Sequence, residues 1–103
     1  MSTERHSRVV VMARPQAGAI DLVTRRLPEI GPDEALVRIR AAGICGTDLH
    51  IVKWNAWAAA SYQPPVALGH EFCAEVVEIG SNIMRLHVGD RVVAETHLAC
   101  GHC

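Results

Sequence analysis

The chain has 103 residues, of which 50% are hydrophobic and 20% charged, and its formal net charge is -1. This length predicts one domain at most, since domains usually run to about 100–200 residues. The 10 basic residues balance 11 acidic ones, which argues against a nucleic-acid-binding protein, because such proteins normally carry a basic patch or stripe. The apolar content excludes a disordered tail.

Membrane and secretory classes are not expected. No stretch approaches the roughly 18 apolar residues that a membrane-spanning helix needs, and the apolar run after the polar start is too short for a signal peptide. We therefore expect a cytoplasmic protein, in which thiols stay reduced. The four cysteines are then better interpreted as metal ligands, nucleophiles or core residues than as disulfides.

The first part of the chain predicts strands. We expect strands over residues 8–14, 19–27 and 35–41, with turns or loops marked by proline and glycine between them. In the strand 35–41, Val37, Ile39 and Ala41 alternate with Arg38 and Arg40, which is the period-two pattern of a strand with one face in water.

The second part predicts a short helix and then further strands. The helix is expected over 48–55, with Thr47 or Asp48 as its N-cap, and Pro64-Pro65 closes that segment. Strands are expected over 71–79 and 92–96, with turns at 80–82 and 88–91. Several short strands without helix–strand alternation predict an all-β sandwich or barrel.

Three clusters of chemically active residues stand out: Cys45-Gly-Thr-Asp-Leu-His50, Gly69-His-Glu71 and Cys100-Gly-His-Cys103. Each is ambiguous alone. A cysteine before glycine is usually a core residue, and a histidine beside a glutamate is often a buried polar pair. The Cys-x-x-Cys spacing serves zinc knuckles and redox dithiols alike.

Taken together, the first two clusters favour a metal site. A catalytic zinc is held by thiolate and imidazole ligands and keeps one position open, and Cys45 and His70 are such ligands from separated segments. Nearby carboxylates, at Asp48 and Glu71, suit the groups that orient a ligating imidazole. In a regular strand His70 and Glu71 would point to opposite faces, so both reach one metal only if the backbone bends at Gly69.

The chain resembles the N-terminal part of the zinc-dependent medium-chain alcohol dehydrogenase family in four motifs that follow one another along the sequence. They are the clusters at 45–50 and 69–71, Val88-Gly-Asp-Arg-Val92 and Cys100-x-x-Cys103. The strings at 44–57 and 95–103 are similar to its L-threonine 3-dehydrogenase branch. This resemblance implies a mainly β, GroES-like, partly open barrel with short helical segments, partnered by a Rossmann domain that binds NAD. No Gly-x-Gly-x-x-Gly is present. We therefore expect residues 1–103 to be an N-terminal catalytic-domain fragment, inactive alone.

The resemblance also implies a catalytic zinc site. Cys45 and His70 would be ligands, Glu71 a ligand or near-ligand that exchanges with water, and Asp48 the group that orients His70. Thr47 would form a proton relay together with His50.

A structural zinc site is implied by the same resemblance. Cys100 and Cys103 match the first two of its four cysteines, and the remaining ligands would lie beyond residue 103. One departure from the family motif is Ala74, which stands where a glycine is usual, whereas the other glycine of the motif is kept as Gly80.

The activity implied by the resemblance is NAD-dependent oxidation of a secondary alcohol, L-threonine to 2-amino-3-oxobutanoate, by a homotetramer when full length. Glu95 and His97 would contact the substrate. Alternatives are another alcohol or polyol dehydrogenase of the family, or a small zinc-binding or dithiol redox module using Cys100 and Cys103. A GroES-like interaction domain without chemistry would leave the clusters unexplained.

Other candidates are expected to be structural. We expect Cys73 to be an inert buried thiol, and three histidines to be solvated or spacers: His6, His87 and His102. Trp54 and Trp57, three apart on the expected helix, would either line a substrate pocket or pack in a cluster.

Overall fold

The computed structural model describes residues 5–95 of the chain, which form two compact units. The first unit holds the described residues up to 29 together with 44–69, and the second holds 30–43 together with the described residues from 70. The elements in chain order are β1 His6–Met12, β2 Ile20–Arg26, β3 Ala35–Gly43, α1 Gly46–Lys53, α2 Ala56–Ser61, β4 Val66–Ala67, β5 Glu71–Ile79 and β6 Arg91–Val93. The expected mainly β class is confirmed.

The first unit contains a three-stranded antiparallel sheet in the order β2-β1-β4. Its core is formed by three residues: Met12 at the end of β1, Ala19 just before β2, and Ile51 in α1. Partly buried residues complete it: Trp54, Tyr62, Val66 and Leu68. Asp48 and Ile51 are the buried residues of α1, so the face that they share packs inward, whereas His50 and Lys53 are exposed.

The second unit contains the antiparallel sheet β3-β5-β6. Register shifts between Leu36 and Val37 and between Ile39 and Ala41 interrupt the pairing of β3 with β5. These irregularities break the expected alternation of faces, and Ile39 is 50% exposed. The prediction of one apolar and one wet face from 35 to 41 is therefore wrong.

An ion pair spans the irregular part of this sheet. The Arg40 Nε donates to the Glu75 Oε2 at 3.1 Å, and the Nη2 of Arg40 contacts the same oxygen. This hydrogen bond and the positive charge of Arg40 lower the pKa of Glu75. Both side chains are partly in water, so the pair contributes modestly to stability.

The expected strands are confirmed with shifted ends, and residue 96 of the last one lies outside the described part. Two elements were not expected: the six-residue helix α2 and the two-residue strand β4. Trp54 ends α1 and packs in the core, whereas Trp57 belongs to α2 and is 49% exposed. The prediction that both lie on one helix is wrong, because the chain turns between them.

The remaining structural predictions have mixed outcomes. His6 and His87 are exposed, as expected. Cys73 is half-buried in β5, so the prediction of a buried thiol is wrong. No helix among the described residues is long and apolar enough to cross a membrane.

Ala74 and Gly80 occupy different environments in the second unit. Ala74 is fully buried in β5, so the structure accommodates its methyl group. A Cβ on Gly80 would lie 2.3 Å from the Gly31 carbonyl oxygen and 2.4 Å from that of Pro32. Both neighbours are backbone atoms, which have no rotamer to move away. Gly80 is therefore required for the close approach of two loops.

We expect Gly80→Ala to destabilise the chain by about 1–3 kcal/mol, the usual cost of overpacking. Gly46→Ala is the control, because a Cβ there meets no atom within 4 Å and the backbone φ is not positive. Urea unfolding followed by circular dichroism measures both. Equal midpoints for the two variants would contradict the close approach.

Candidate metal centre

The site begins at the N-terminus of α1, where Cys45 is the N-cap. Its backbone is extended, with φ -109° and ψ 172°, and its Sγ accepts the Thr47 N–H at 3.3 Å. The Asp48 Oδ2 accepts the Cys45 N–H in return, at 3.1 Å. This is a capping box with a cysteine in the position usually taken by serine or threonine. The prediction of Thr47 or Asp48 as the cap is wrong, because Asp48 acts from the first turn of the helix.

Asp48 also holds a second segment of the chain. Its Oδ1 accepts the N–H of Gly69, 21 residues further on, at 3.2 Å. Gly69 has φ +92°, a conformation that glycine adopts at no steric cost. The Asp48 side chain is buried, at 7% exposure, and each of its oxygens accepts a backbone N–H. The carboxylate thus ties the start of α1 to the residue directly before His70.

Cys45 and His70 are the predicted metal ligands of this region. Cys45 is the N-cap of α1, and His70 directly follows Gly69, whose N–H is accepted by Asp48. A thiolate and an imidazole are donors that zinc accepts in proteins, so the residues fit a zinc ion by their chemistry, and their role as ligands stays a prediction. The two hydrogen bonds of Asp48 described above go to backbone N–H groups, and its role in orienting His70 also stays a prediction.

Glu71 is the third residue predicted to contact the catalytic metal. It begins β5, pairs with Gly43 of β3 and is exposed. Its Oε2 lies 3.6 Å from the place that a Cβ on Gly43 would occupy. Its role as an exchangeable ligand stays a prediction.

Thr47 and His50, the expected proton relay, both lie on α1. Thr47 is half-buried and His50 exposed, so the pair extends from the capped helix end towards water. The His50 ring makes an edge contact with Trp57, with ring centroids 5.8 Å apart. The relay itself stays a prediction.

Asn55 is a neighbour of His50 that the sequence analysis missed. Its Nδ2 lies 2.6 Å from the His50 Nδ1, and its Oδ1 accepts the Ala58 N–H at 2.9 Å as the N-cap of α2. The available signal was an asparagine directly before the run Ala56–Ala60, since asparagine is a preferred N-cap.

Most of the remaining candidate residues are not among those that the structure describes. Cys100, Cys103, His97 and His102 lie outside the described residues. Glu95 is described and exposed. The structural zinc and the substrate contacts of Glu95 and His97 therefore stay predictions.

Comparison with known proteins identifies the family. Residues 31–103 match the alcohol dehydrogenase GroES-like domain family. The chain belongs to this family. The family was expected from the motifs at Cys45 and His70, and that expectation is confirmed.

Individual relatives show how similar this chain is to known dehydrogenases. The chain is 54% identical over 83 residues to an L-threonine 3-dehydrogenase of Caldanaerobacter subterraneus subsp. tengcongensis, covering 81% of this chain and 24% of the relative. The galactitol-1-phosphate dehydrogenase of Escherichia coli has a similar fold, with a TM-score of 0.81 and 33% identity over 94% of this chain and 27% of that one. A protein of Sinorhizobium meliloti, solved with NADP, has a TM-score of 0.72 and 38% identity over 94% of this chain and 27% of that one. The chain thus spans about a quarter of the length of its relatives.

We expect Asp48→Asn to destabilise the chain by about 1–3 kcal/mol, because an amide has one acceptor oxygen and leaves a backbone N–H without its partner. Asp33→Asn is the control. Asp33 is exposed and accepts one bond, from the Asn82 Nδ2 at 3.0 Å, so its replacement should change the free energy of unfolding by less than about 0.5 kcal/mol. Urea midpoints compare the two. An unchanged midpoint for Asp48→Asn would show that these bonds do not hold the site together.

Proposed function

We propose that this chain is the catalytic-domain part of a zinc-dependent, NAD-dependent dehydrogenase that oxidises the secondary hydroxyl of L-threonine to give 2-amino-3-oxobutanoate. The observation that carries the proposal is the buried Asp48 carboxylate, which accepts the N–H of Cys45 and the N–H of Gly69, the residue before His70, in a chain of the alcohol dehydrogenase family. The names of its L-threonine 3-dehydrogenase relatives support the substrate.

In this proposal Cys45 and His70 hold the zinc, and Glu71 exchanges with water as a further ligand. The ion supplies a Lewis acid that makes the substrate hydroxyl more acidic. Asp48 keeps the ligand-bearing segments in place through the N–H groups of Cys45 and Gly69. The sulfur of Cys45 lies at the N-terminus of α1, the end of a helix that favours negative charge.

Proton transfer is assigned to Thr47 and His50. A hydroxyl and an imidazole are groups that carry protons by general acid–base catalysis, and the exposed His50 reaches solvent. Hydride would pass to the nicotinamide of NAD. Because the Sinorhizobium meliloti protein was solved with NADP, the experiment below compares NAD with NADP.

The other predictions belong to the same proposal. Cys100 and Cys103 would contribute to a structural zinc site, Glu95 and His97 would contact the substrate, and the whole enzyme would be a cytoplasmic homotetramer. The likeness to galactitol-1-phosphate dehydrogenase favours one second candidate, a polyol dehydrogenase with the same zinc site. A dithiol redox module is less well supported, because it would leave the group at Cys45 and His70 without a role.

Metal binding is tested with Co²⁺, which reports thiolate coordination by a charge-transfer absorption. The titration uses the Cys100→Ser/Cys103→Ser variant, so that the thiols of the proposed structural zinc site do not bind the metal. Loss of a hydrogen-bond partner that orients a metal ligand costs about 10–100-fold in metal affinity. Loss of a ligand itself costs at least as much, so Cys45→Ser and His70→Ala should each weaken Co²⁺ binding by at least about 100-fold. Cys73→Ser, which changes the half-buried cysteine of β5, should bind as the parent does. A charge-transfer band that survives Cys45→Ser would place the metal elsewhere.

Activity is tested in a chimera of the Caldanaerobacter L-threonine 3-dehydrogenase, in which the 83 matched residues are exchanged for the matching part of this chain. We expect NADH formation with L-threonine and its loss in the Cys45→Ser chimera, because the zinc ligand is removed. Galactitol 1-phosphate is the competing substrate, and NADP the competing coenzyme. Faster oxidation of galactitol 1-phosphate than of L-threonine would support the second candidate, a polyol dehydrogenase. A chimera that folds, binds Co²⁺ and oxidises neither alcohol would contradict the dehydrogenase proposal.

A further inference from the structure

We propose that Asn55 sets the tautomer of His50, by holding the neutral imidazole with its proton on Nε2 and its lone pair on Nδ1. The functional weight of this inference rests on the proposed function, in which His50 moves a proton. The hydrogen bonds that carry it lie among residues 50–58, within one compact unit of the chain.

The orientation of the Asn55 amide is fixed by the helix that it caps. Its Oδ1 accepts the Ala58 N–H at 2.9 Å. A half-turn of the amide would bring its NH₂ group against that N–H, two donors facing each other, and α2 would lose its cap. An asparagine amide has a single acceptor oxygen. Because the oxygen is committed to α2, the nitrogen of the amide faces His50.

The partner atom on His50 then has only one possible role. The Asn55 Nδ2 lies 2.6 Å from the His50 Nδ1, and an amide nitrogen donates but does not accept. Nδ1 must therefore be the acceptor and carry no proton. In a neutral imidazole one ring nitrogen is protonated, and here this is Nε2.

The backbone between the two helices brings Asn55 back to His50. Trp54 adopts a left-handed conformation, with φ 50°, and its N–H is directed to the carbonyls of His50 and Ile51. The Asn55 N–H donates to the same His50 carbonyl at 3.4 Å. Since Trp54 also packs against the core, the turn is held by tertiary contacts as well as by hydrogen bonds.

The contact has a consequence for proton transfer. The lone pair that could accept a proton is the one on Nδ1, and it is occupied by the Asn55 amide. A proton that reaches His50 adds at Nδ1 and breaks the hydrogen bond to Asn55, and the ring then releases its Nε2 proton to water. Asn55 is thus a positioning residue that determines which nitrogen takes the proton and which one releases it.

The test is a two-bond ¹H–¹⁵N correlation spectrum of the ¹⁵N-histidine-labelled full chain at about pH 9, where imidazole is neutral. The His50 signals are assigned from the spectrum of His50→Gln. We expect His50 to show the Nε2–H pattern in the unsubstituted chain, with the Nδ1–H form at least about tenfold less populated.

Two variants keep an N-cap for α2 and change the group that faces Nδ1. Asn55→Asp replaces the donor by an acceptor and should reverse the pattern to Nδ1–H. Asn55→Ser removes the amide NH₂ group that donates to Nδ1, and it should let both tautomers appear. His87 is the internal control, because it lies in the other unit with its Nδ1 3.8 Å from the Asp90 Oδ2, and its signals should not change.

Either of two results would overturn the inference: an Nδ1–H pattern for His50 in the unsubstituted chain, or an unchanged Nε2–H pattern in Asn55→Asp. If Asn55→Asp does not fold, an unchanged pattern in Asn55→Ser has the same meaning. The measurement needs neither metal nor substrate. Loss of the tautomer preference and failure of zinc binding are therefore separate results.

Discussion

The candidate site depends on one buried carboxylate. Asp48 accepts the N–H of Cys45 through one oxygen and the N–H of Gly69 through the other. The first bond starts α1 with its cap in place, and the second fixes the residue that precedes His70. A buried carboxylate needs such partners, because an isolated charge away from water is costly. The same two hydrogen bonds therefore compensate the burial of Asp48 and hold Cys45 and the residue before His70 in place.

A second polar residue organises the other end of α1. Asn55 uses its oxygen to cap α2 and its nitrogen to contact the His50 ring, so one amide joins the two helices and orients the imidazole. Trp54 makes this possible, since its left-handed backbone turns the chain between the helices. Asp48 and Asn55 thus act in the same way: each side chain accepts a backbone N–H at the start of a helix. Each also forms a second hydrogen bond, to Gly69 before His70 in one case and to the His50 ring in the other.

The strands were predictable because their signals are local. Short β-branched runs between proline and glycine turns indicate strands irrespective of what they pack against, and β1, β2, β3 and β5 were found close to their predicted positions. The prediction of one apolar and one exposed face for β3 was wrong, because the faces of β3 depend on a contact that is not local. Its register shifts arise from pairing with β5, a contact 30 or more residues away that periodicity along β3 does not contain. The unexpected helix α2, with only six residues, is too short to show a clear period of its own.

The amino-acid sequence by itself determined the residue types of the site, their order and hence the family, because Cys45, His70 and the motifs around them are properties of spacing along the chain. It also determined the mainly β class. Tertiary structure decided which polar group meets which. The bonds from Asp48 to Gly69 and from Asn55 to His50 depend on how α1 ends and on where the chain returns after α2. Such contacts form between segments whose separation in space is set by packing, so residue order alone does not specify them.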